Sequence, residues 1–473
     1  MKTLFVTSEA YPFAVSGGLG DYSHALPKAL RRRFVGCRVI MPLYSEIGEK
    51  YRHEMSFIGN LSVPVSWRQQ YCGVFELKND GVIYYFLDNE YYFKRPGMYG
   101  FYDDAERYAF FARAVLEILP LINFFPDVIH CNDWQSALVP VYKNLYYSND
   151  SRYSKIKTLF TIHNIQYQGK YGLDILEDVF GISYEQKNLV EYDGCINLLK
   201  GGIEAADRVC TVSRTYAEEL KDPWFSYGLD SIIRARSDKI TGIVNGIDYD
   251  IYNPQTDPMI FKNYSFETIS DKYENKAELQ RMLGLNVSPD TPVIGMVTRL
   301  VGHKGLDLVK YAFDKILSND LQFVILGSGD EQFEVFFGEM ASCYPGRFAL
   351  RTGFVPELAH KIYAGADIFL MPSKNEPCGL AQMIALRYGT VPVVRETGGL
   401  KDTVLDADSG GVGYTFKSYN ADDMYGALNR AVGGFYDKDF WQGLVKKDMQ
   451  CDNSWNASAG EYIALYRQMT SKR

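Results

Sequence analysis

Short apolar runs that read as β-strands alternate with amphipathic helical stretches along nearly the whole chain, and this alternation constrains the fold more than any other feature. A parallel neighbour strand needs a long crossover, and a helix is the compact way to make one, so the rhythm predicts parallel sheets with helices on both faces. In the first half strands are predicted at residues 3–6, 37–41, 83–87, 128–130, 157–162 and 208–212, with helices at 104–119 and 198–206. A second series is predicted at 293–298, 322–326, 348–353, 367–371 and 391–394. Leu306, Val309, Phe313, Ile316 and Leu317 fall at helical spacing between its first two strands. The series are separated by Asn245-Gly246-Ile247-Asp248 and a turn-rich stretch, which predicts an interdomain hinge near 246–258. The expected architecture is α/β, with one doubly wound domain over 1–246 and a second over 247–454. Trp455, Ala459, Tyr462, Ile463, Tyr466 and Met469 share one face of a predicted C-terminal helix, 455–473, which must dock somewhere.

A chain of 473 residues is too long for one core, and its 47% apolar content suffices for two. The net charge of −8 argues against bulk nucleic-acid binding, which needs a concentrated basic surface. Eight scattered cysteines without a CxxC pair suit a reduced compartment. The first residues read as a strand rather than a secretory leader, and no run approaches a membrane span. A soluble, cytoplasmic protein without membrane or nucleic-acid partners is expected.

The chemistry-bearing residues cluster where predicted strands end. Asn375-Glu376-Pro377-Cys378-Gly379-Leu380 puts one carboxylate just ahead of a helix-like segment over 380–388, and Thr397-Gly398-Gly399 follows the next strand. Thr298-Arg299-Leu300-Val301-Gly302-His303-Lys304-Gly305 adds two cations beside a Gly-bearing turn, an arrangement suited to a diphosphate leaving group. Ser16-Gly17-Gly18-Leu19-Gly20-Asp21 follows the first strand and opens a helix that Pro27 is expected to kink or restart. Asn132-Asp133-Trp134 and Thr161-Ile162-His163-Asn164 end two further strands with polar groups. Metal motifs are lacking. Asp248-Tyr249-Asp250 and Asp406-Ala407-Asp408 read as structural pairs, and Gly327-Ser328-Gly329 lacks the rest of a dinucleotide fingerprint. Among the 36 tyrosines a dense cluster between Tyr84 and Tyr108 is expected to be mostly core.

Taken together and in order, these motifs resemble glycosyltransferase family 5, the bacterial glycogen synthases and plant starch synthases. The likeness also rests on Met41-Pro42-Leu43-Tyr44, Val244-Asn245-Gly246-Ile247-Asp248 and Tyr388-Gly389-Thr390, and covers essentially the whole chain. It implies two Rossmann-like domains facing a cleft, the B-type glycosyltransferase fold, with the C-terminal helix packed back on the first domain. It implies transfer of glucose from ADP-glucose to the 4-hydroxyl of an α-1,4-glucan end, with retention and without cofactor or metal; the partners are thus a nucleotide sugar and a glucan. Catalytic roles carry over to Glu376, Arg299, Lys304 and His163. Donor contacts carry over to Gly17, Gly18, Asp21, Tyr99, Phe354, Cys378, Gly379, Leu380, Thr397 and Gly398, and sugar or acceptor contacts to Asp133, Asn164 and Asn245. Two departures bear on the donor: Val15 stands where the family commonly has Lys, and Ile384 where related transferases often have a second Glu. The alternatives are UDP-glucose as donor, a catalytically inactive glucan-binding protein, or a glucan phosphorylase.

Overall fold

The computed structural model describes residues 1–471. The chain divides into two compact units, one of Met1–Ile243 with the C-terminal stretch from Trp455, the other Val244–Ser454. The division falls three residues before the expected one, so Asn245 belongs to the second unit.

The first unit is built on a nine-stranded sheet. Its strands are Lys2–Val6 (β1), Gly36–Pro42 (β2), Ser56–Val65 (β3), Arg68–Asn79 (β4), Val82–Asp88 (β5), Val128–Asn132 (β6) and Lys157–Ile162 (β7). A small antiparallel sheet of Lys170–Tyr171 (β8), Glu191–Tyr192 (β9) and Cys195–Asn197 (β10) intervenes before Arg208–Thr211 (β11) and Ile240–Gly242 (β12). The order is β12-β11-β7-β6-β1-β2-β5-β4-β3. Every pairing from β12 to β5 is parallel, and only β5-β4-β3 run antiparallel. The parallel strands are apolar and buried because helices cover both faces. The β3–β4 extension was not anticipated.

The second unit carries Val293–Val297 (β13), Gln322–Leu326 (β14), Phe348–Arg351 (β15), Ile368–Met371 (β16), Val391–Arg395 (β17) and Tyr414–Phe416 (β18). Its order, β15-β14-β13-β16-β17-β18, is wholly parallel and is the 3-2-1-4-5-6 arrangement of a Rossmann sheet. The parallel part of the first sheet follows the same rule about β1. In such sheets the strand order reverses at one point, between β1 and β6 here and between β13 and β16 in the second unit. Ligands bind beyond the strand ends there.

Two local expectations fail. The helix Gly18–Arg32 runs unbroken through Pro27 rather than restarting. The stretch 246–258 is not a loose crossing but packs into the second unit, where buried Asp257 pairs with His360 Nδ1 at 2.6 Å and accepts the Tyr388 hydroxyl at 2.5 Å. The C-terminal helix spans Trp455–Thr470, and the last two residues of the expected 455–473 lie outside the described ones. Its stripe is buried against the first unit, with Tyr462 bonded to Tyr22 (2.9 Å) and Tyr466 to His130 Nδ1 (2.7 Å).

Candidate active site

In the second unit the loops after β13 and β16 meet. Lys304 Nζ lies 2.7 Å from Glu376 Oε2, and Ser373 Oγ donates to the same oxygen at 3.0 Å. Glu376 is 8% exposed, so its charge depends on these partners rather than on water. The loops are stitched by the Lys374 N–H donating to the His303 carbonyl at 2.9 Å. Gly305 permits the approach: its φ is +79°, and a Cβ there would stand 2.1 Å from the Pro372 carbonyl oxygen. Arg299, exposed on the same loop, is braced from β14, where the Leu300 N–H donates to Ser328 and the Asp330 N–H to Leu300. That bracing is the local task of the Gly327-Ser328-Gly329 turn. Burial, then Lys304 and Arg299, push the His303 imidazole down, so this cationic loop carries no third charge near neutral pH.

Around this pair, Thr397 and Gly398 follow β17, and the Gly399 N–H donates to the Glu376 carbonyl at 3.2 Å. Gly398, at φ +44°, would place a Cβ 2.0 Å from that carbonyl oxygen, so the loop can close only on glycine. Cys378 is buried, and burial pushes its thiol up to about 12, with the Asn245 backbone acting in the opposite direction. It is therefore a neutral packing group, not a nucleophile. Asn245 Oδ1 is buried without a partner. Gly379 and Leu380 are half-buried just ahead of the helix Ala381–Arg387. Phe354 stands 93% exposed on the loop after the edge strand β15. Asp406 and Asp408 are both engaged by Arg430, at 2.8 and 2.6 Å.

In the first unit the strand ends flanking the switch point carry a second polar constellation. Its centre is Glu9, which the sequence reading missed. Buried at 4% exposure, Glu9 accepts from the Ser16 N–H (2.7 Å), Ser16 Oγ (2.6 Å), the Gly17 N–H (3.3 Å) and the Tyr99 hydroxyl (2.7 Å). The Gly17 N–H, expected to be offered to phosphate, is thus taken by a carboxylate, and the Tyr99 hydroxyl is held there too. Gly17 and Gly18 are exposed, and an added Cβ at either meets nothing within 4 Å. The fold itself does not demand glycine at these positions. Asp21 reaches solvent, yet the protein packed around its carboxyl, and then Glu9, raise it to about 6.

Asp133, the residue just after β6, sits in the left-handed region, φ +54°, and accepts the His163 N–H at 2.8 Å, tying the ends of β6 and β7 together. A non-glycine residue so held stores strain of about 1–3 kcal/mol, a cost commonly met at functional sites. Burial raises its carboxyl to about 7 against the backbone donors of His163 and Asn164. Burial pushes His163 down to about 3, so its ring is neutral at working pH. His163 Nε2 lies 3.0 Å from Asn132 Oδ1, an acceptor only, because the Asn132 amide donates to the Val6 carbonyl. Nε2 therefore carries the proton and Nδ1 is left as an acceptor. Asn164 folds its side chain onto the Gln166 N–H.

The chain matches the family model described as "Starch synthase catalytic domain" over residues 2–235. It matches "Glycosyl transferases group 1" over 284–433. It is 49% identical to a glycogen synthase of Geobacillus thermodenitrificans, over 100% of this chain and 98% of the relative. The chain belongs to the glycogen and starch synthase family. Identity to a glycogen synthase of Clostridium botulinum is 48%, over 99% of this chain and all of that one. Among solved structures, the catalytic domain of starch synthase IV from Arabidopsis thaliana, bound to ADP and acarbose, matches with a TM-score of 0.91 at 33% identity. That match covers 99% of both chains. A sucrose-phosphate synthase from Thermosynechococcus elongatus shares the fold, with a TM-score of 0.62 at 17% identity over 99% of this chain and 98% of that one. The family's B-type glycosyltransferase architecture agrees with the two Rossmann sheets. The protein is an enzyme, a glycosyltransferase with glycogen synthase function. Among the described residues no helix is long and apolar enough to cross a membrane.

Proposed function

We propose that this glycogen synthase moves glucose from ADP-glucose to the 4-hydroxyl at the non-reducing end of an α-1,4-glucan, retaining the anomeric configuration and using no metal or other cofactor. The observation that carries this reading is the Lys304–Glu376 pair, backed by Ser373, at the switch point of the second sheet with Arg299 on the same loop. Departure of a nucleoside diphosphate concentrates negative charge on its phosphate oxygens. Arg299 and Lys304 supply fixed cations for it, and preorganised charge of this kind lowers barriers most where water is scarce. Lys304 need only shift its ammonium from sharing with Glu376 alone to sharing with a phosphate oxygen. Glu376 then attends the glucosyl unit, where its carboxylate stabilises the positive charge that grows at the anomeric carbon.

In the same reading Phe354 stacks on the nucleobase. Thr397, Gly398, Cys378, Gly379 and Leu380 shape the donor side. The donor roles carried over to Gly17, Gly18, Asp21 and Tyr99 belong to the first unit, where the exposed Gly17-Gly18 turn answers no packing need of the chain, although Glu9 holds the Gly17 N–H and the Tyr99 hydroxyl. His163 accepts a sugar hydroxyl through Nδ1, and Asp133, Asn164 and Asn245 hold further hydroxyls of sugar or acceptor. ADP as the nucleotide is supported by the starch synthase IV structure bound to ADP and acarbose. Val15 and Ile384 remove two polar handles from the donor side, so donor choice is the part to test. Glucose incorporation into glycogen should be at least about tenfold faster from ADP-glucose than from UDP-glucose, a barrier difference of about 1.4 kcal/mol. Equal or reversed rates would refute the donor assignment.

A further inference from the structure

The His163 imidazole is held at one nitrogen, and one hydrogen bond does not fix a ring. Its Nε2 lies 3.0 Å from Asn132 Oδ1, a contact about which the ring plane can still swing. The neighbour that closes off this swing is Tyr22, which follows Asp21 in the helix Gly18–Arg32 and is 1% exposed. The centres of the Tyr22 and His163 rings are 4.4 Å apart at an interplanar angle of 76°. This is an edge-to-face contact at the close end of the range such pairs adopt.

Tyr22 is held in turn from the C-terminal helix Trp455–Thr470. Its hydroxyl donates to the Tyr462 hydroxyl at 2.9 Å and lies 3.4 Å from His130 Nε2. Its ring packs against that of Trp455, with centres 5.4 Å apart. His130 Nε2 lies 2.7 Å from Thr161 Oγ1, two residues before His163, and His130 Nδ1 lies 2.7 Å from the Tyr466 hydroxyl. Tyr22 thus touches the rings of both His130 and His163, one on β6 and one just beyond β7. Tyr22, Tyr462 and Tyr466 are all fully buried. Phenylalanine would fill the same space with no hydroxyl to satisfy, so what the three hydroxyls add is fixed orientation.

We propose that Tyr22 and Tyr462 are positioning residues for His163. The Tyr462 hydroxyl fixes the Tyr22 ring, and the Tyr22 edge fixes the plane of the His163 imidazole. This rests on the reading in which His163 Nδ1 accepts a sugar hydroxyl. The lone pair of an imidazole nitrogen lies in the ring plane, so a tilted ring aims Nδ1 away from the hydroxyl it must meet. Misplacement of about 1 Å can cost on the order of 10²-fold in rate. The C-terminal helix therefore supports the chemistry of the first unit as well as closing its core.

The test compares steady-state rates of the full chain carrying Tyr462→Phe, Tyr22→Phe or Tyr22→Leu, with and without His163→Ala, and adds nitrogen NMR of labelled histidine rings. Tyr462→Phe, which keeps the packing, should lower kcat about two- to tenfold, the worth of one neutral hydrogen bond, and leave KM for the donor nearly unchanged. Tyr22→Leu also removes the ring edge and should lose more, while Tyr22→Phe should recover most of the difference. In the His163→Ala background Tyr462→Phe should cost nothing further, because the ring it positions is gone. Where His163→Ala lowers kcat, the proposal is overturned by an unchanged kcat in Tyr462→Phe, or by the same loss in both backgrounds, which would mark general packing. Full kcat in His163→Ala would instead refute the sugar contact of His163, and the ring signal then judges the positioning alone. That signal, identified by its loss in His163→Ala, should shift or broaden in Tyr462→Phe; an unmoved signal overturns the proposal.

Discussion

Lys304 and Glu376 come from loops after different strands, and their side chains meet at 2.7 Å in a largely dehydrated position. Removing either leaves the other charge unpaired. If they act as one unit in transfer, the losses must be non-additive. Lys304→Ala and Glu376→Gln should each lower kcat by about 10²- to 10³-fold, and the double variant should fall little further. A steady-state double-mutant cycle checks this, and losses that simply multiply would show that the residues act separately. Glu9 was invisible as a functional residue because Ser8-Glu9-Ala10 forms no motif. Only the structure shows its carboxylate gathering Ser16, Gly17 and Tyr99. Glu9→Gln replaces one accepting oxygen by a donor facing donors, so it should raise KM for the nucleotide sugar several-fold and cost about 1–3 kcal/mol of stability. Urea unfolding and initial rates measure the two effects. An unchanged KM would make Glu9 purely structural. The residues named by motif lie at the expected strand ends. Their hydrogen-bond states were not legible, since whether the Gly17 N–H is free depends on a carboxylate eight residues away.

At the scale of elements, the parallel strands could be read because buried strands leave unbroken apolar runs bounded by glycine and polar turns. The antiparallel pair β3–β4 escaped because exposed polar residues, Ser56, Asn60 and Ser62 in β3 and Gln69 and Lys78 in β4, break such a run. A signal was present: Asp80-Gly81 joins β4 to β5 with both φ angles positive, the two-residue turn that a tight hairpin favours. The hinge over 246–258 was misplaced for the converse reason. Turn-rich composition signals direction changes, not looseness, and Asp257 anchors the stretch through His360 and Tyr388. The loop after β13 depends on Gly305. Gly305→Ala must carry a left-handed backbone and a Cβ 2.1 Å from the Pro372 oxygen, so the loops around Lys304 and Glu376 should separate. A stability loss of about 1–3 kcal/mol is expected from the backbone alone. A drop in kcat out of proportion to that loss, by thermal unfolding and rate measurements together, would show the loops held apart. Normal kcat would show that they accommodate the methyl group.

At the scale of the molecule, two sheets share one winding rule, and each places its polar residues where strand order reverses. The C-terminal helix is part of the first unit although more than 200 residues of the second intervene. Its Tyr462 and Tyr466 are fully buried against Tyr22 and His130. A chain ending at Ser454 should therefore expose this aromatic face, and limited proteolysis should cut its first unit rapidly while the intact chain resists. Equal resistance would mean the helix is an ornament. The central claim is that these strand ends perform retaining glucosyl transfer from ADP-glucose. Proton NMR of the early product formed from ADP-glucose and a short maltooligosaccharide tests it most directly. The account predicts one ADP released for each new α-1,4-linked glucose at the non-reducing end; a β-linked product, or ADP release without chain growth, would contradict it.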